Sequence, residues 1–218
     1  MSAEPKDNKK NVQRELDEAF EVMLLNYKYS KGIKFFERYF SQYPFLKHNP
    51  KNLTRLGLLY DHAAMVDSKE RRLLNNQARQ YYQMAISLDP DFYSAWWGLG
   101  RIFWHQNDKR SLAYAKKAYR LAKKKHDDTL GHYSQNIALI YKGLGNLKRA
   151  EFWFKRGLKE SPQEWGMVYN FMRFYINAKP DEDKARKFAK RLKSMLESKD
   201  RNSQWLREVY ALAEKSSK

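Results

Sequence analysis

The feature that most constrains this chain is a helical pattern that repeats. Between Gly131 and Pro162, apolar and small residues fall at Ile137, Ala138 and Tyr141, then at Ala150, Phe154, Gly157 and Leu158, with Gly145 between the two sets. The spacing on each side of Gly145 predicts a helix, and the glycine predicts a short turn. Pro162 predicts the stop, because proline lacks an N–H and clashes inside a helix. Upstream, Trp96, Leu99, Gly100 and Phe103 make another first helix, followed by Ala115, Ala118 and Leu121 on a second, one position early. Before that, Leu56, Gly57 and Tyr60 are followed by Ala78, Tyr82, Ala85, Ile86 and Leu88, then Pro90. Helix, turn, helix and stop fit a period of about 34 residues. A helix pair of that size cannot bury its apolar face alone, so neighbouring pairs must stack.

Trp96, Leu99, Gly100 and Phe103 reproduce the W-x2-L-G-x2-Y spacing with Phe for Tyr, and residues 143–162 read GLGNLKRAEFWFKRGLKESP. These stretches closely resemble tetratricopeptide repeats. The resemblance implies an all-α fold, a right-handed superhelical array of antiparallel helix pairs. About five repeats are expected, at 13–46, 50–91, 93–128, 131–164 and 165–198. The first retains Gly32, Phe36, Tyr39 and Pro44 but lacks a Leu-Gly pair, and the last retains Phe171, Tyr175, Ala185, Phe188 and Leu192. Residues around 62–74 exceed the period and predict either lengthened helices or a protruding loop. The polar residues 1–12 are expected to be a disordered tail. Residues 199–218 are expected to be a capping helix and tail, with Trp205, Val209 and Leu212 on one face, because a terminal repeat would otherwise expose apolar surface.

Composition narrows the function. The chain has 218 residues, no Cys and a net charge of +18. Disulfides, thiolate metal sites and a cysteine nucleophile are excluded. The first residues carry no apolar signal core and no run of about 18 apolar residues occurs, so a cytoplasmic protein without a membrane span is expected. There is no G-x-S-x-G, no Gly-rich phosphate loop and no H-E-x-x-H. His126, Asp127, Asp128 and His132 match no standard ligand spacing and read as a turn with an aspartate cap. Asp181, Glu182 and Asp183 follow Pro180, where acids favour a helix start. Neither an enzyme nor a cofactor or metal is expected.

Binding is the better reading. In tetratricopeptide arrays the first helices of successive repeats line a groove, and the resemblance implies that Trp97, Arg101, His105, Gln135, Asn136, Lys142, Tyr169, Asn170 and Arg173 face it. Aromatics beside arginines suit a peptide segment of acidic or mixed charge. Thr54 and Leu58 stand where the family's carboxylate-clamping arrays carry Lys and Asn, so the chaperone-tail set is not reproduced. An alternative is contact with RNA or another anionic surface through basic second helices, at Lys116, Lys117, Lys123, Lys124, Lys187 and Arg191. The terminal repeats also offer surfaces for self-association.

Overall fold

The computed structural model describes residues 6–106 and 108–196, with Arg207, Val209 and Ala211 beyond them. Among these residues the chain is helical throughout and has no strand. It divides into two compact units, one ending at Leu121 and the other beginning at Ala122.

Unit 1 opens with α1 (Lys6–Leu25) and α2 (Tyr29–Gln42), followed by a 3-10 turn (Pro44–His48). Then come α3 (Pro50–Val66) and α4 (Arg71–Leu88), and α5 (Tyr93–His105) and α6 (Arg110–Lys124), the last reaching the boundary with unit 2. The expected tail is helical from Lys6 onward. Val12, Leu16 and Phe20, spaced by four, are buried there. Packing of that stripe anchors a polar helix that would be marginal in isolation. Residues 1–5 lie outside the described residues. The excess near 62–74 is resolved as lengthened helices, since α3 runs to Val66 and α4 starts at Arg71. Asp67 closes the turn between them: its Oδ1 accepts from the backbone N–H groups of Lys69 (2.9 Å) and Glu70 (3.1 Å).

Polar pairing fixes α1 against α3. The Gln13 amide donates to Asn52 Oδ1 at 2.9 Å, and the fully buried Asn52 amide donates back to Gln13 Oε1 at 2.9 Å. Reciprocal pairing satisfies groups whose burial would otherwise cost stability. Tyr82, on α4, is wedged between two glycines. A Cβ at Gly57 would stand 2.9 Å from its ring, and one at Gly98 would stand 2.3 Å from Cζ. The absent side chains therefore let α3 and α5 close on the same ring.

Unit 2 contains α7 (Leu130–Gly143), α8 (Leu147–Glu160), α9 (Trp165–Asn177) and α10 (Glu182–Leu196). Gly145, at φ +73°, makes the α7–α8 turn, and Asn146 caps α8 by accepting from Arg149 N at 3.1 Å. Phe154 stands at the centre, with ring centroids 5.1 Å from Phe171 and 5.4 Å from Phe174. A second cluster joins Val168 and Met172 of α9 to Ala189, Leu192 and Leu196 of α10, and to Val209. The expected C-terminal cap otherwise lies outside the described residues, Trp205 and Leu212 included. Glu151 ties α8 to α9. It accepts from Tyr175 Oη at 2.8 Å, pairs with Lys155 Nζ at 2.9 Å and also pairs with Lys179. Burial works against its charge, but those donors outweigh it and bring its pKa down to about 2.

Candidate functional site

In unit 1 the site residues expected on α5 converge with one acid of α3. The Arg101 guanidinium lies over the Trp97 ring, 4.7 Å from its centroid. An Arg101 nitrogen is 3.3 Å from Asp61 Oδ2, and the Asp61 side chain is only 1% exposed. Neither carboxylate oxygen of Asp61 has a hydrogen-bond partner among the described residues. Burial raises the Asp61 pKa, and the charges of Arg101 and His105 oppose the rise. His105 ends α5 with one side open to solvent; desolvation on its inner side lowers its pKa, with Asp61 acting the other way. His62, one residue on from Asp61, stacks on Tyr29 at 5.1 Å, and burial together with Arg101 and His105 brings its pKa down to about 4. It is therefore neutral at physiological pH. Arg101 serves an internal charge, and what this face offers outward is the half-buried Trp97 with the rim around it.

In unit 2 the expected residues lie on α7 and α9, which pack against each other. On α7, Ile137, Ala138, Ile140 and Tyr141 are buried, while Gln135 and Asn136 are half-buried and Lys142 is exposed. On α9, Val168, Phe171, Met172 and Tyr175 face the core. Tyr169 and Asn170 are half-buried and Arg173 is exposed. Arg173 donates to Tyr169 Oη at 3.2 Å, with the guanidinium 5.9 Å from that ring's centroid. Gln135 Oε1 is buried without a hydrogen-bond partner among the described residues. The two stripes therefore present two cations, an aromatic and three side-chain amides. Such groups can pair with carboxylates, cover an apolar side chain and bond an extended backbone.

The remaining expected residues are placed differently. Lys116 and Lys117 are half-buried, and the Lys117 ammonium lies 5.4 Å from the Trp96 ring centroid. Lys123 and Lys124 are exposed at the end of α6, and Lys187 is exposed on α10. Arg191 donates to the Pro162 carbonyl. Asp127 serves its turn, with Oδ1 accepting from Thr129 N at 2.8 Å. Asp181 Oδ1 accepts from Lys184 N at 3.1 Å, at the start of α10. No grouping of three metal-binding side chains occurs among the described residues. No described helix is long and apolar enough to cross a membrane. The residue that sequence reasoning left out of the site is Asp61. Its burial and its pairing with Arg101 arise only when α3 and α5 come together.

Stacked antiparallel helix pairs, with small residues where helices close and exposed polar stripes on the first helices, define a helical-repeat protein of the α-solenoid class. Residues 132–164 match the tetratricopeptide repeat family model, so that pair is a tetratricopeptide repeat and the pairs around it share its fold. Among solved structures, PilW, described as a widely conserved type IV pilus biogenesis factor, is 19% identical with a TM-score of 0.68, covering 92% of this chain and 90% of its own. A thermophilic TPR protein of Thermus thermophilus is 17% identical with a TM-score of 0.66, covering 93% and 98%. A MamA structure is 16% identical with a TM-score of 0.57, covering 83% and 95%. At such identities the likeness is one of fold. No curated protein sequence matches the chain. Tetratricopeptide repeats generally mediate protein–protein contacts.

Proposed function

We propose that this protein is an interaction scaffold that holds a peptide segment of acidic or mixed charge on the first-helix face of its repeats. The observation that carries the reading is the α7–α9 face. Arg173 is exposed, is oriented by Tyr169 and has no carboxylate partner among the described residues, and Lys142 is exposed on the neighbouring helix. Arginine held by a neutral hydroxyl keeps its charge available for a ligand carboxylate. Tyr169 gives an aromatic surface for an apolar side chain, and Gln135, Asn136 and Asn170 supply amides for a peptide backbone. In unit 1, Trp97 offers an aromatic surface of its own, with Arg101 over that ring and itself held by Asp61. This division of labour separates two arginines that the sequence presents alike.

A displayed library of random 12-residue peptides, selected on the whole protein, tests the reading. Enrichment of Asp and Glu beside an apolar residue is expected, and a set of the enriched peptides is expected to lose binding to the Tyr169→Ala, Arg173→Glu double variant while the helical circular dichroism signal stays unchanged. Undiminished selection of every enriched peptide by the double variant would refute the assignment.

A further inference from the structure

Unit 1 carries a second surface at the turns that join helices within its first two pairs. The α1–α2 turn closes with Tyr27 N–H bonded to the Leu24 carbonyl at 3.2 Å and Lys28 N–H bonded to the Met23 carbonyl at 2.9 Å. That pattern is the Schellman motif, which puts the residue between in the left-handed region. The α7–α8 turn makes the same bonds and has Gly145 there. The α1–α2 turn has Tyr27, at φ +56°. A side chain with a Cβ is strained at that angle, and an aromatic one rarely occupies it. The strain is not offset by burial, because Tyr27 is 79% exposed.

Tyr27 stands at the mouth of a recess of about 500 Å3. Its ring meets that of Tyr29 edge-on at 6.1 Å, and Tyr29 in turn stacks on His62, so the recess has an aromatic side. Val66, the last residue of α3, and Leu74, in the first turn of α4, line it, and Val66 is 76% exposed. Leu25 and Leu73, also exposed, flank it in sequence. Apolar side chains gathered around a recess, rather than scattered singly, mark an interaction surface. Lys28, Lys31 and Lys69 line the same recess and are exposed. None of these three is held in an ion pair with a described residue. Of the two acids there, Asp67 already bonds the backbone of its own turn.

We propose that this recess docks an acidic peptide segment of a protein partner, with an aromatic or large aliphatic side chain of the segment entering beside Tyr27 and Val66 and its carboxylates meeting Lys28, Lys31 and Lys69. Charge complementarity sets the sign of the partner. The concave shape favours a peptide over a lipid surface, since a bilayer face cannot enter a recess. The strained tyrosine places a rigid amphipathic ring where glycine would make the same turn more easily, which is the pattern of strain kept for a contact.

The test uses the whole protein and fluorescein-labelled 12-residue peptides, rich in Asp and Glu with one central Phe, Trp or Leu and drawn from those that the Tyr169→Ala, Arg173→Glu variant still selects, followed by fluorescence polarisation. Tyr27→Gly is expected to weaken binding at least tenfold while leaving the midpoint of thermal unfolding unchanged or higher, because glycine suits the left-handed position. Lys28→Glu with Lys31→Glu is expected to abolish binding, and Arg173→Glu on α9 is expected to leave it unaltered, which separates this surface from the first-helix face. Replacing the peptide's acids by Lys is expected to remove binding. Unchanged affinity in Tyr27→Gly overturns the proposal. So does an absence of binding by every acidic peptide, with or without capture of phosphatidylserine vesicles.

Discussion

Glu151→Gln isolates the most heavily bonded carboxylate of unit 2. In the folded chain this group ionises near 2 instead of its ordinary 4.5, because Lys179, Lys155 and Tyr175 together outweigh its burial. A depressed acid adds stability where the unfolded chain's carboxyl is already charged, above about pH 4.5, and that stability is lost as pH falls from there toward 2. At about 1.36 kcal/mol per pKa unit, the separation corresponds to roughly 3 kcal/mol. Lys155 and Lys179 are 64% and 46% exposed, so solvent screens part of their contribution. About 2 kcal/mol remains after that discount. The glutamine keeps an oxygen for the Tyr175 hydroxyl but offers no charge to the lysines. Urea unfolding followed by circular dichroism, on parent and variant at about pH 7, 4 and 2.5, reads the difference. The gap is expected to be about 2 kcal/mol at neutral pH and to close toward the acid end. A gap that persists undiminished at the lowest pH, or one under about 0.5 kcal/mol at neutral pH, refutes the reasoning.

Gly98→Ala is expected to destabilise unit 1 by about 1–3 kcal/mol, because the new Cβ would stand against a ring that has no room to retreat. Urea unfolding measures the loss, and pairing it with Tyr82→Leu should recover part of it. Phe154→Ala is expected to cost about 3–5 kcal/mol, since its fully buried ring is the hub of the α8–α9 contact. Chemical denaturation gives the loss, and the near-ultraviolet circular dichroism of the aromatic cluster should weaken with it.

The helix pairs were legible because each is written locally. Trp96, Leu99, Gly100 and Phe103 repeat a pattern set by close packing, and Pro50 begins α3 while Pro90 and Pro162 follow helix ends. The cap at Asp181 was legible for the same reason, since it acts within three residues of itself, whereas Asp127 closes its turn and leaves the N-cap of α7 to Thr129. What sequence could not supply was the pairing of charges across helices. Arg101 and Arg173 occupy equivalent positions on their helices, yet one meets a buried aspartate on another helix and the other meets a tyrosine one turn away. The strained turn at Tyr27 was hidden as well. Its hydrogen bonds belong to the backbone, and nothing in the composition of residues 22–29 marks a tyrosine as standing where glycine is usual. The start of α1 was obscured because charged residues conceal a stripe whose burial depends on α2 and α3.

The packing of helices that are neighbours in sequence, α1 to α5 in unit 1 and α7 to α10 in unit 2, bears on how the chain acquires its fold. Contacts close in sequence require only short loops to be closed, so the entropic barrier to forming them is low. Each helix pair can begin to assemble as soon as its second helix has left the ribosome. α7 and α8, joined through Gly145, form such a unit from about thirty consecutive residues. Synthesis from the N-terminus would then lay down the Gln13–Asn52 pairing while most of unit 2 is still untranslated. The order in which the surfaces become available to partners would follow the order of the chain, with the Tyr27 recess completed before α9 exists.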